Sequence, residues 1–237
     1  MSRKEAAKLS AIIFDMDGVV IDSERHWLTH GRELMARWIP GWSEHDQARV
    51  AGLSAEPLYQ FLCESYGLSA AREQFIRDYD ETVRDVYARH AQLIEGVAPL
   101  LEEISKSHLK LALATSSPRQ WITVVSDRLG IDRWFDLMVS ASDLDCPAKP
   151  APHIYLGAAK MLSLTPGECL VVEDSSVGVA SARRAGMPVV GFRNGFNESQ
   201  DLSQATSYLS GFSGVVVSTL AELFLQSLAN EEDQEIK

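Results

Sequence analysis

The chain has 237 residues, 46% of them hydrophobic, enough for a substantial core and for one domain carrying a smaller insertion. Acidic residues outnumber basic ones 33 to 22, and the formal net charge of -11 disfavours nonspecific attraction to nucleic acid or to an anionic membrane, so an anionic substrate needs a local positive site. The three cysteines form no CxxC pair and no apolar stretch reaches the length of a membrane span, which predicts a cytoplasmic protein without nucleic-acid or membrane partners.

Residues 11–14, Ala-Ile-Ile-Phe, form the kind of apolar run found in a buried central strand of a parallel sheet, with Asp15 at its carboxyl end. Asp17 follows two residues later. That spacing sets both carboxylates on one side of an extended chain, and Gly18 permits a tight departure. Taken alone, the pair reads equally well as an Asp-rich turn. From 22 to 92 the pattern is helical. Trp27, Leu34, Trp38 and Ile39 share one face until Pro40 and Gly41; a second helix over 56–66 closes at Gly67; Ser69 is placed to cap a third, with a stripe of Phe75, Tyr79, Val83, Val86 and Tyr87.

Residues 111–114 make the next strand, ending in Thr115-Ser116-Ser117. Ser117 offers a cap and Pro118 the first turn of a helix that points Trp121, Val124, Val125 and Leu129 at the sheet. A strand over 136–140, a helix opened by Pro150 and Pro152, a short turn at Thr165, and the apolar run 170–172 ending in Glu173 and Asp174 continue the alternation. Residues 189–190 and 215–217 supply the last strands, the latter before a helix capped by Thr219. Repeated strand and helix segments predict an α/β fold: a Rossmann-like three-layer core with a mostly parallel sheet, built from residues 1–21 and 93–237 and interrupted by a helical cap at 22–92. In such sheets the ligand site lies beyond the carboxyl ends of the strands.

Four of those ends carry complementary polar groups: Asp15 and Asp17, Thr115 and Ser116, Lys149, and Glu173 with Asp174. Together they outline a phosphate reaction site. Asp15-Met16-Asp17-Gly18-Val19-Val20, Thr115-Ser116-Ser117, Lys149-Pro150 and Val172-Glu173-Asp174-Ser175 resemble, in order and separation, the four motifs of the haloacid dehalogenase superfamily. The likeness is strongest to its phosphatase and β-phosphoglucomutase-like members with an N-terminal helical cap. Asp22-Ser23-Glu24 also resembles the opening of that cap.

The resemblance implies that Asp15 is a nucleophile forming an aspartyl-phosphate, and that Asp17 protonates the leaving oxygen and then activates water. An acid at Asp17 favours phosphoryl transfer over dehalogenation. Thr115 and Ser116 would bind phosphate, and Lys149 would neutralise charge on Asp15 and on the phosphoryl group. Mg2+ would be held by Asp15, the carbonyl of Asp17 and Asp174, with Glu173 binding it directly or through water. Specificity falls to the cap, where Glu24, Trp27 and Gly52 are the candidate contacts; Arg32, and Arg119 outside the cap, are further charges that could meet the leaving group. His26 reads as a packing or surface residue.

The expected activity is magnesium-dependent hydrolysis of a small phosphorylated metabolite, of the sugar or polyol phosphate type, by a monomer. A β-phosphoglucomutase-like mutase and a non-catalytic phosphate-binding regulator are the alternatives. The mutase pattern places a basic residue after Gly-x-Ser in a cap loop, where this chain has Ala55 after Gly52-Leu53-Ser54. It also places a histidine where Trp27 stands.

Overall fold

The computed structural model describes residues 8–50 and 53–235. The chain divides into two compact units, one of Met1–Asp22 with Leu93–Lys237 and one of Ser23–Gln92. In the larger unit, strands β1 (Ala11–Phe14), β2 (Lys110–Thr115), β3 (Leu137–Ser140), β4 (Cys169–Glu173), β5 (Val189–Phe192) and β6 (Ser207–Leu209) form one sheet. Its order is β3-β2-β1-β4-β5-β6, and each neighbouring pair is parallel.

Between β1 and β2 the chain builds the smaller unit from α1 (Ser23–Trp38), α2 (Glu44–Arg49), α3 (Ala55–Tyr66), α4 (Arg72–Asp85) and a π-helical turn, Val86–His90. The core helices are α5 (Val97–Ser105), α6 (Arg119–Leu129), α7 (Ala141–Leu144), α8 (His153–Met161), α9 (Ser176–Arg184) and α10 (Val217–Glu235).

All residues of β1 and β4 are buried, as expected of central parallel strands covered on both faces. Strand alternation divides their side chains. Ala11, Ile13, Ala112, Ala114, Val171 and Val189 pack in one cluster with Ile154 and Ala158 of α8 and Val179 and Ala182 of α9. The intervening Phe14 and Phe192 turn to the other face, where Phe212 lies 6.2 Å and 4.3 Å from their ring centroids. Beyond β1, Ile21 bridges in parallel to Asp17 and antiparallel to Leu93, and Ile94 N–H donates to the Val20 carbonyl at 3.0 Å.

The smaller unit has its own core of Leu34, Met35, Ile39, Leu58, Leu62 and Phe75, with Trp27, Trp38 and Tyr79 packed against it. Gly67 ends α3 at a φ of 66°, a left-handed turn that favours glycine.

Four local expectations are corrected. Val215–Val217 is no strand: Val216 N–H is accepted by Thr219 Oγ1 at 3.4 Å and Val217 already opens α10, which passes Leu228 and runs to Glu235. The sixth strand is Ser207–Leu209 instead. Ser69 caps nothing, because α4 begins after Ala71. The segment after Gly41 contains the helix α2, opened by a reciprocal capping box between Ser43 and Asp46. Ser117 does not cap α6; Pro118 stands at that position and the Ser117 hydroxyl is used elsewhere.

Candidate active site

The polar residues gather at the carboxyl ends of the three central strands. Asp15 extends β1 by one rung, its N–H bonded to the Val172 carbonyl at 3.0 Å. Thr115 and Glu173 are the last residues of the flanking strands β2 and β4. Parallel pairing in register thus delivers residues far apart in sequence to one rim.

Lys149 arrives from the loop before α8. That loop is fixed by two side chains of α9, with Ser181 Oγ donating to the Ala151 carbonyl at 2.6 Å and Arg184 Nη1 to the Pro150 carbonyl at 2.9 Å. The ammonium reaches both buried carboxylates, at 2.6 Å from Asp15 Oδ1 and 2.6 Å from Glu173 Oε1. Glu173 is saturated with donors. Its Oε1 also accepts from Tyr155 OH at 2.7 Å, and its Oε2 accepts from Asp174 N, Ser175 N and Ser175 Oγ at 3.0, 3.2 and 3.0 Å.

These contacts decide the charges. Burial pushes the Asp15 carboxyl up from 3.8 to about 8, against the pull of Lys149. Burial would also raise Glu173, but Lys149 and the hydrogen bonds from Tyr155 and Ser175 hold it below its ordinary value. Burial works against the charge of Lys149, yet Asp15 and Glu173 raise its affinity for the proton well above that of a free lysine. Burial and Glu173 likewise keep the Tyr155 hydroxyl protonated as a donor.

Asp174 is placed by asparagines of the loop after β5. Asn194 Nδ2 donates to Asp174 Oδ2 and to the Gly18 carbonyl, both at 2.9 Å, and Asn197 Nδ2 donates to the Asp174 carbonyl at 2.7 Å. Gly18 has a φ of 73°, and a Cβ there would collide with the Asp174 carboxylate, so glycine is required on both counts. The carboxylates of Asp15, Glu173 and Asp174 are all buried and offer oxygens within 4.8 Å of one another. A buried set of oxygen donors of this kind can hold a hard divalent cation and is unsuited to a soft one.

Asp17 accepts from Ser117 Oγ at 2.8 Å, which holds it on the same rim. Thr115 is buried, and its Oγ1 accepts Ser117 N–H at 3.0 Å, so the hydroxyl hydrogen is available to an anion. Ser116 lies exposed in the same loop. The structure therefore brings Asp15, Thr115, Lys149, Glu173 and Asp174 to the ends of the central strands, with Asp17 and Ser116 on the adjoining turns.

Glu24 and Trp27 lie on α1 of the smaller unit, and Gly52 lies outside the described residues. The Trp27 indole meets Tyr79 edge-on at 5.2 Å between centroids and covers Gly31. The two arginines considered for the leaving group are engaged, Arg119 with Asp143 and the Met138 carbonyl and Arg32 with Glu44.

Sequence reasoning missed Tyr155, Ser117 as the partner of Asp17, and the pair Asn194 and Asn197. Only the asparagines left a trace, as a polar, glycine-containing break directly after an apolar strand. Gly178 is a further hidden requirement, since a Cβ on it would overlap the Glu173 carboxyl group. Gly178→Ala is expected to destabilise the fold by about 1–3 kcal/mol through overpacking and to lower activity by displacing Glu173 and with it Lys149. A thermal melt that matches the wild type would show that Glu173 can move aside.

The geometry agrees with what comparison finds. Residues 12–192 match the family model described as haloacid dehalogenase-like hydrolase. A phosphorylated carbohydrates phosphatase of Thermotoga maritima is 30% identical over 198 residues, covering 83% of this chain and 91% of that one. The β-phosphoglucomutase of Bacillus subtilis is 26% identical over 196 residues, covering 79% and 84%. The solved β-phosphoglucomutase of Clostridium difficile superposes with a TM-score of 0.75 at 24% identity over 93% of this chain and 99% of its own, a likeness of fold.

Proposed function

The chain belongs to the haloacid dehalogenase-like hydrolases, and from that premise we propose that it hydrolyses the phosphate ester of a small metabolite, with Asp15 as nucleophile and Mg2+ as cofactor. The observation that carries this reading is Asp15 itself: a buried carboxylate at a central strand end, pinned through one oxygen by Lys149, beside Asp174 and Glu173.

Lys149 fixes Asp15 Oδ1, which leaves Oδ2 to attack phosphorus. As the Asp15 oxygen bonds to phosphorus, the ester oxygen departs with its electron pair and takes a proton from Asp17. Thr115 Oγ1 and the Ser116 backbone N–H bind the phosphoryl oxygens, and Lys149 offsets their charge. Asp17, now ionised and oriented by Ser117, removes a proton from water as that water displaces Asp15 from phosphorus. Inorganic phosphate leaves and both aspartates return to their starting states.

Asp15, Asp174 and the Asp17 carbonyl would hold Mg2+, and Glu173, its lone pairs already taken, would chiefly anchor Lys149. A bound Mg2+ screens the repulsion between these carboxylates and an incoming phosphate. Glu24 and Gly52 remain the proposed specificity contacts; Trp27 contributes through packing.

A screen of phosphorylated metabolites should therefore show Mg2+-dependent phosphate release, and Asp174→Asn should raise the Mg2+ concentration needed for half-maximal rate by at least ~10-fold. An unchanged requirement would remove Asp174 from the metal shell. The similarity to a β-phosphoglucomutase favours a second reading, in which the phosphoryl group returns to another oxygen of the same sugar. Against it, Ala55 opens α3 where that pattern has a cationic side chain, so no second phosphate grip is supplied there. Isomer formation measured beside phosphate release separates the two: isomerisation with little free phosphate would establish the mutase.

A further inference from the structure

We propose that His26, His30 and His90 form a binding site for a zinc-class transition-metal ion inside the cap unit, chemically distinct from the acidic cluster of the core. Each offers a ring nitrogen, and these three atoms lie within 4.8 Å of one another. His26 and His30 stand four residues apart on α1, the spacing that puts two imidazoles on one helical face, as in helical zinc sites. His90 completes the set as the last residue of the π-helical turn that follows α4. Such widened turns recur at functional sites.

The rings already converge. His30 and His90 stack at 4.5 Å between centroids, and His26 lies 5.8 Å from His90 and 6.5 Å from His30. Tetrahedral zinc with bonds of about 2.0–2.1 Å sets ligand nitrogens about 3.3 Å apart, a contraction that ring rotation at half-buried positions can supply.

The surroundings are those of a metal-binding histidine. His90 Nε2 lies 3.2 Å from Asp85 Oδ2, and because a carboxylate only accepts, the proton resides on Nε2 and a neutral ring keeps its Nδ1 lone pair for a cation. Glu33 adds a carboxylate 3.8 Å from His30 Nδ1, beyond hydrogen-bond reach but close enough to favour a cation. The adjoining cleft, about 460 Å3, is lined by His30 together with Glu33, Asp78, Glu81 and Asp85, with Arg37 as the fixed cation among the described residues that line it. Acidic walls draw cations toward the imidazoles. Imidazole nitrogen is a borderline donor that binds zinc, cobalt or nickel and leaves magnesium to the all-oxygen cluster, so both sites can fill independently. A metal here would staple α1 to the end of α4.

The test uses the full-length, tag-free protein with Mg2+ in excess, titrated with Co2+ and Zn2+. We expect uptake of one equivalent of Co2+ with the visible absorption of a nitrogen-ligated ion, displaced by Zn2+. It should be lost in His30→Gln and in His90→Gln, retained in Asp174→Asn, and weakened about 10-fold in Asp85→Asn. Uptake that survives both histidine variants, or that disappears with Asp174→Asn, would overturn the site. Zn2+-induced shifts in the wild-type imidazole proton resonances need no variant: three of the six histidines should respond, and no response would equally refute the assignment. Metal-free melting curves of the variants establish that lost binding is not lost folding.

Discussion

Asp15→Asn is expected to abolish turnover and covalent phosphate labelling, with kcat falling by ~10^4-fold or more, while the fold persists or gains stability. Asparagine keeps an oxygen for Lys149 but cannot serve as the leaving and attacking carboxylate. The stability effect follows from charge. In the metal-free protein one ammonium faces the three carboxylates of Asp15, Glu173 and Asp174. The folded state holds the Asp15 proton up to about pH 8, whereas a free aspartate releases it near 3.8. Between those values the folded chain carries more protons than the unfolded one, so the contribution of Asp15 to stability is intact below 3.8 and is lost as pH rises through about 8. Metal-free Asp15→Asn should therefore match the wild type in acid and exceed it by about 1–2 kcal/mol at neutral to mildly alkaline pH. Melting curves across pH test this, and a variant less stable than wild type at pH 8 would show that the ion pair with Lys149 outweighs the desolvation of the carboxylate. Robust turnover by the variant would remove Asp15 from its role.

Lys149→Met should be the most damaging single change to the fold. The lysine side chain is only 5% exposed and bridges two carboxylates that are themselves buried. Methionine restores the volume of the stem and none of the charge, leaving Asp15 and Glu173 facing each other. Breaking a buried pair by removing one partner costs about 3–5 kcal/mol, or roughly 6–20 °C in melting temperature for a chain of this size. With the ammonium gone, the folded-state proton affinities of both acids rise, so stability should recover as pH falls and deteriorate as it rises. A second change, Glu173→Gln, should restore part of the loss in Lys149→Met by removing one of the stranded charges. Activity should vanish in both backgrounds. A Lys149→Met protein as stable as the wild type at pH 8 would mean that water, rather than protein, solvates these carboxylates.

The sheet centre was legible because β1, β2 and β4 must be apolar on both faces and yet end in polar residues; few other arrangements explain Ala-Ile-Ile-Phe running straight into an aspartate. The edge was not legible. β6 has only three residues, Ser207–Leu209, none of them buried, and such a strand leaves no periodic signal. The β-branched run at 215–217 attracted the strand assignment, although the Thr219 hydroxyl on Val216 N–H decides for a helix start. The groups that react were readable through motif spacing. The groups that orient them were not: Tyr155 looks like any aromatic on the buried side of α8, and its bond to Glu173 exists only once that helix is laid over β2 and β3 of the sheet.

The antiparallel pairing of Ile21 with Leu93 makes the whole helical unit, in chain-topology terms, the loop of a hairpin. The entropy of closing such a loop grows only with the logarithm of its length, so the connectivity at Ile21 and Leu93 tolerates inserts of different size. For protein engineering the same pairing marks a splice junction. A folded module whose own ends lie about 5 Å apart, the span of an antiparallel residue pair, can be grafted between Ile21 and Leu93 without restringing the sheet.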